Sequence, residues 1–206
     1  MARDIESKCK KCRRLKVKLF LKGERCYSDK CSLEKKKSER FVRRRRRTSQ
    51  YGLQLRGKQR VRWEYGIMEN QFRRYYHLAE KSPNITGEEF LRLLERRLDN
   101  VVYRLSFSFS RAQGRQLVNH GHFLVNGRVV DIASYLMKEG DVIEFSKKSK
   151  KSPLVKQILE ASPEKVIPEW LEIDKGAMKG TIKRFPLKEE LSQEIDLNLI
   201  VEYYSR

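Results

Sequence analysis

The sequence predicts an α+β protein: helical segments, a small sheet-bearing module and a basic N-terminal arm. Three observations carry that prediction. Apolar residues recur at three- and four-residue steps between Tyr51 and Leu105. An Asn-Gly turn between two apolar runs, in "HFLVNGRVV", marks a hairpin, and "GDVIEF" a further strand. All four cysteines fall between Cys9 and Cys31, in a stretch too short and too charged to fold by burial.

Charge narrows the partner. The 206 residues carry a formal charge of +20, from 47 Lys and Arg against 27 Asp and Glu. Residues 1–62 hold 24 basic and 6 acidic side chains, and residues 91–151 hold 12 and 6, whereas the last fifty residues read as scaffold. Such an excess points to a polyanion: nucleic acid first, an anionic membrane second. No apolar run approaches the roughly 20 residues of a membrane span, and the N-terminus lacks the apolar core of a secretory signal, so a cytoplasmic protein is expected.

In the arm, Cys9 and Cys12 are two residues apart, and Cys26 and Cys31 follow thirteen residues on. Two close pairs of thiols suit a tetrahedral structural metal. Zinc is the default ion; a four-iron four-sulfur cluster also takes four thiolates, and disulfides or free thiols are the other reading. Seven Lys and Arg between Lys8 and Lys18 are expected to favour the thiolates. Next comes "KKKSERFVRRRRR", which cannot bury itself; Arg43, Arg44, Arg45, Arg46 and Arg47 read as a nucleic-acid-gripping arm.

The helical spacing begins at Tyr51, with Leu53, Leu55, Val61 and Trp63 among basic residues. Phe72, Tyr75, Tyr76 and Ala79 then form a core stripe. Thr86 is a candidate N-cap with Glu89 as its capping-box partner. Leu91, Leu94, Leu98, Val101 and Leu105 read as one further helix, with Arg92, Arg96, Arg97 and Arg104 mainly off its buried stripe. Ser110 and Gln113 make a second capping box, and Gly121 a helix stop. After the hairpin and the third strand, "KKSKKSP" reads as a basic linker, followed by a helix around Leu154–Ala161.

Catalytic signatures are missing. There is no phosphate-cradling Gly-rich motif, and only His77, His120 and His122 could serve as an imidazole base. His120 and His122 flank a helix stop and read as surface groups able to touch a phosphate or base. The Arg-Leu-Asp at Asp99 matches the nucleophile motif of pseudouridine synthases, but it lies in a helical stripe with too little chain after it for a catalytic domain. The match is read as accidental.

The segment from Leu93 to Phe145, with "LDNVVYRL", "SRAQGRQLVNHGHFLVNGRVVDI" and "GDVIEF", resembles the RNA-binding module named after small-subunit ribosomal protein four. The resemblance extends along nearly the whole chain to that bacterial protein family, in its cysteine-containing, metal-binding form. "CKKCRRLKVKLFLKGERCYSDKC" resembles its N-terminus, "YGLQLRGKQRVRWEYGIMENQF" its helical body, and "MKGTIKRFP" and "IVEYYSR" its C-terminal end. There are two departures. The basic block stands where the family has a Pro-Gly-Gln-His-Gly stretch, and Gly114 stands where alanine is usual, which is expected to weaken that helix by up to about 1 kcal/mol.

The resemblance implies a mostly helical body with an inserted small α+β RNA-binding module and an N-terminal metal-binding arm. The arm is expected over residues 1–47, the body over 48–92 and 175–206, and the module with its linker over 93–174. It implies no enzyme but a structural constituent of the small ribosomal subunit, a primary binder of a multi-helix junction in the 5′ domain of the rRNA that nucleates assembly and contributes to accuracy. The expected partners are small-subunit rRNA, ribosomal proteins three and five, and its own mRNA, with no membrane or small-molecule substrate. RNA contact is implied for Arg111, Arg115, His120 and His122, and also for Arg97 and Arg104; the metal ligands would be Cys9, Cys12, Cys26 and Cys31. An RNA-modifying enzyme or a stress-response ribosome binder using the same module is the alternative.

Overall fold

The structure is a computed structural model and describes residues 6–34, 49–161, 167–174, 176–191 and 195–205. The basic block with Arg43–Arg47 lies outside the described residues. In chain order the elements are α1 (Lys8–Leu15), α2 (Gln50–Glu64), α3 (Glu69–Glu80), α4 (Thr86–Glu95), α5 (Leu98–Arg104), α6 (Arg111–Asn119), β1 (Phe123–Val125), β2 (Arg128–Val129), β3 (Val142–Phe145), α7 (Lys147–Lys150), α8 (Pro153–Ala161), β4 (Leu171–Asp174), β5 (Lys179–Ile182) and α9 (Leu197–Tyr204). Two compact units result, one of residues 1–90 with 192–206 and one of residues 91–191.

In the first unit the aromatic stripe of α3 is buried as its spacing predicts. Phe72 meets Phe90 edge-on at 4.9 Å between centroids, and Tyr76 stacks on Tyr204 of α9 at 4.6 Å. Helix α2 departs from expectation. Leu53 is exposed, and the buried face runs through Gln54, Lys58 and Val61. The reason is polar pairing: Gln54 Nε2 donates to Glu202 at 2.8 Å, and Lys58 Nζ to Glu69 at 2.5 Å, where the Tyr204 hydroxyl also donates at 3.0 Å. Burial pushes the Glu69 carboxyl up, but Lys58, Tyr204 and Arg62 together hold it below the usual value. The arm joins this unit through Cys12 and Leu19, which pack with Trp63, and Lys11 lies over the Trp63 ring.

In the second unit the sheet is antiparallel throughout, in the order β2-β1-β3-β5-β4. The hairpin turn has φ of 50° at Asn126 and 78° at Gly127, the doubly left-handed turn that Asn-Gly predicts. Asn126 is also sewn to β3, accepting from Val142 N–H at 2.9 Å and donating to Asp141 at 2.8 Å. One face of the sheet carries α5, with Leu98, Val101, Leu105, Phe123, Ile143 and Phe145 in one core.

Four local expectations are revised. The Leu91–Leu105 stripe is broken: α4 ends at Glu95 and α5 starts at Leu98, with Arg97 extended between them (φ −66°, ψ 136°). The apolar period runs through the break because Leu91 and Leu94 of α4 and Leu98, Val101 and Leu105 of α5 are all buried. Thr86 is the first residue of α4 rather than its cap, and Glu89 accepts instead from Asn84 Nδ2 at 3.2 Å. "KKSK" is the helical turn α7, capped by Ser146, not a linker. Finally, β5 pairs with β3, so residues 176–191 lie in the sheet-bearing unit, where they were expected in the helical body.

Candidate nucleic-acid interface

The site is assembled at the α5–α6 corner of the second unit, around two buried carboxylates. Ser110 Oγ caps α6 by accepting from Gln113 N–H at 3.3 Å, while Gln113 Oε1 accepts from Phe109 N–H at 2.8 Å. This fixes the first turn of α6, where Arg111 and Arg115 stand one turn apart.

Asp99 is 2% exposed and accepts from two arginines. Arg97 forks onto it through Nε at 3.0 Å and Nη2 at 2.7 Å, and Arg115 places Nε at 2.8 Å and Nη2 at 2.5 Å on the same Oδ2. Glu95, 1% exposed, takes Arg104 in a second fork, Nε at 2.9 Å and Nη2 at 2.6 Å. Asn100 bridges the groups: its Nδ2 donates to Glu95 at 2.7 Å, and its Oδ1 accepts from Arg111 Nε at 2.7 Å. The Arg111 guanidinium also lies 4.8 Å from the centre of the Tyr103 ring.

The structure thus brings Arg97, Arg104, Arg111 and Arg115 into one network, in unequal places. The Arg104 and Arg115 side chains stay 25% and 30% exposed, and Arg111 is half-buried. Arg97, expected as an RNA contact, is 1% exposed and instead serves as a core partner of Asp99. Asp99 itself is a buried counter-charge, which gives its Arg-Leu-Asp context a structural meaning. Its sequence signal was an acid inside an apolar stripe, flanked at i−2 by arginine.

The histidines stand at the other end of α6. His120 is exposed, its ring 6.2 Å from that of His122. His122 Nδ1 lies 2.8 Å from Ser149 Oγ, and Ser149 is 2.7 Å from Ser146 Oγ. Burial, then His120 and Lys148, hold the His122 imidazole below its ordinary value. Exposed Lys147 and Lys148 on α7 extend the positive surface, a contribution that reading "KKSK" as a linker missed. In the first unit, Arg73, Arg74, His77 and Lys81 line an open groove of about 400 Å³ on α3, opposite its aromatic stripe. Their spacing at i, i+1, i+4 and i+8 is the signal of that face in the sequence.

In the arm, the four cysteines are free thiols lining one cavity of about 20 Å³, room for a single water-sized occupant. No three Cys, His, Asp or Glu side chains among the described residues stand in metal-holding geometry. The expected metal-binding arm is therefore present as gathered thiols, not as a formed coordination site. Lys22 N–H donates to Cys26 Sγ at 3.4 Å, and a Leu19 amide bonds to Cys12. The four thiols line one small space, with amide donors to two of them. Burial pushes the Cys12 and Cys26 thiols up, which outweighs the help expected from the basic surroundings.

A small α+β module that presents fixed arginines beside a hairpin is a surface suited to a polyanion, and comparison with known proteins gives the class: RNA-binding proteins with an S4 domain. Residues 3–95 match the ribosomal protein S4/S9 N-terminal domain, and residues 96–143 the S4 domain. The chain is 50% identical to the small ribosomal subunit protein uS4 of Geotalea daltonii, 49% to that of Pelotomaculum thermopropionicum and 46% to that of Syntrophobacter fumaroxidans, in each case over the whole of both chains. The chain belongs to the uS4 family of small-subunit ribosomal proteins, a structural family of the cytoplasmic ribosome and not a family of enzymes. Among the described residues no helix is long and apolar enough to cross a membrane.

Proposed function

We propose that this chain is a primary binder of small-subunit rRNA, engaging a multi-helix junction in the 5′ domain, nucleating assembly and contributing to translational accuracy. The observation that carries the reading is the arginine network: Arg104, Arg111 and Arg115 are each held by an internal acceptor, so their planar forks are positioned before RNA arrives. A junction is a shape crowded with phosphates, and proteins read RNA shape through backbone and 2′-hydroxyl contacts. Fixed guanidinium forks suit that task better than mobile point charges. His120, His122 and the α7 lysines continue the surface, and Arg43–Arg47 add a gripping arm.

On this reading the neighbours in the subunit are ribosomal proteins three and five, and the same RNA-binding face would serve repression of its own mRNA. Cys9, Cys12, Cys26 and Cys31 would hold zinc, with a four-iron four-sulfur cluster as the alternative; either would act structurally, fixing the basic loop between the pairs. Hydroxyl-radical footprinting on full-length small-subunit rRNA, across a salt series and with no other protein, tests the main reading. A compact footprint at one junction, persisting at moderate salt, is expected. Diffuse protection that vanishes with salt would identify a generic basic binder instead.

A further inference from the structure

The arm carries an exposed aromatic pair beside its thiol cavity that the core does not explain. Leu19 turns inward and is buried with Cys12 and Trp63. The next residue, Phe20, adopts left-handed backbone (φ 49°) and is 36% exposed. Left-handed backbone is a rare state for a bulky residue. Tyr27, directly after Cys26, is 58% exposed, and its ring stacks on Phe20 with centroids 4.9 Å apart and planes 29° apart. A strained residue that buried its ring would be explained by the core. One that holds its ring at the surface, already stacked on a second, is a feature of the kind found at binding sites.

The surroundings select the ligand. Between Lys8 and Cys31 there are ten basic side chains and two acidic ones. Lys22 and Arg25 share the rim of the thiol cavity with Phe20. Aromatic faces among cations are what RNA-binding surfaces use for unpaired nucleotides: the ring stacks on the base, and the cations take the phosphates on either side.

We propose that Phe20 and Tyr27 form a platform on which one unpaired RNA base stacks. The proposal rests on the rRNA-binding reading and deepens it, adding an unpaired base to the phosphate contacts of the arginine network.

The test uses the full chain bound to small-subunit rRNA. Zero-length photocrosslinking, digestion and peptide sequencing should find a nucleotide adduct on Phe20 or Tyr27. In parallel, the double variant Phe20→Leu/Tyr27→Leu should bind about 5- to 150-fold more weakly, the range that loss of one base stack implies. Its log-affinity against log-salt slope should be unchanged, because every cation that meets a phosphate is kept. An adduct absent from both residues, or a double variant with undiminished affinity, overturns the platform while the arginine-based reading stands. A shallower salt slope in the variant also overturns it, since the pair would then act only by holding the neighbouring cations. A wild-type chain with no compact footprint overturns the rRNA reading, and the platform with it. The crosslink is read on the unaltered protein, so a variant that fails to fold leaves the proposal decidable.

Discussion

Asp99→Asn removes one negative charge and almost no volume, and the structure says where the cost falls. Arg97 is 1% exposed, and its Nε and Nη2 both donate to the Asp99 carboxylate. The amide keeps one acceptor oxygen but turns an NH₂ toward a guanidinium, leaving a buried cation facing a donor. Breaking a buried ion pair from one side costs about 3–5 kcal/mol. A domain of about 100 residues loses about 4–8 °C of Tm per kcal/mol, so the sheet-bearing unit should melt at least about 12 °C lower. Calorimetry gives the shift, and hydrogen exchange of peptides from residues 91–191 assigns it to that unit. Two companions isolate the cause. Arg97→Met should cost less, because Asp99 keeps Arg115. The double variant Arg97→Met/Asp99→Leu should regain most of the loss, because it buries neither charge. An Asp99→Asn protein within about 1 kcal/mol of the parent, or a double variant no better than Asp99→Asn, would refute the assignment of Asp99 as the buried counter-charge of the site.

Three further outcomes follow from the same geometry. Arg111→Ala/Arg115→Ala should weaken rRNA binding and make the log-affinity against log-salt slope shallower by about 0.7–0.9 for each phosphate left without its arginine, measured by filter binding; an unchanged slope removes both from the interface. Gly114→Ala should destabilise the protein by about 1–2 kcal/mol in urea titrations despite alanine's better helix propensity, because the new Cβ would lie 2.9 Å from the Asp99 carbonyl and 3.0 Å from Ser108 Oγ; a gain in stability would show that α5 and α6 can part cheaply. The His122 ring is held below its ordinary value, so its folded form favours the neutral imidazole: its stability contribution is full above about pH 6.5 and is lost as pH falls through the folded value. His122→Gln should flatten thermal melts between about pH 8 and 5, and an undiminished acid loss would place that proton elsewhere.

Much of this architecture was legible because its signals are local. The α3 stripe, the Ser110 cap and the Asn126-Gly127 turn each depend on residues within one or two turns of one another, and the structure keeps all three. What the sequence could not disclose was pairing across distance. Nothing in "KGTI" says that it will lie beside Val142–Glu144, so β5 read as part of the helical body. Nothing in an apolar stripe says that the chain leaves the helix at Arg97, since the stripe residues on both sides of the break are buried alike. The site followed the same division. The family resemblance implied RNA contact for Arg111 and Arg115 first and for Arg97 and Arg104 after them, with no physical difference to tell Arg97 from Arg115. Only the fold separates Arg97, sealed against Asp99, from Arg115, held by the same carboxylate at the surface.

That division bears on how a strongly basic protein makes a specific surface. Positive charge alone gives salt-sensitive, sequence-blind attraction. Here the decisive groups are acids: Glu95 and Asp99 are among the most buried charged residues, and between them they anchor Arg97, Arg104 and Arg115. Each anchored guanidinium has surrendered part of its rotamer freedom to the fold, so less remains to be lost when RNA binds. The carboxylates also keep the arginines from repelling one another apart. Removing a surface arginine should therefore take away one RNA-facing group, whereas removing a buried acid should disperse several. In a chain of net charge +20, the two acids set the geometry that the excess charge alone would not.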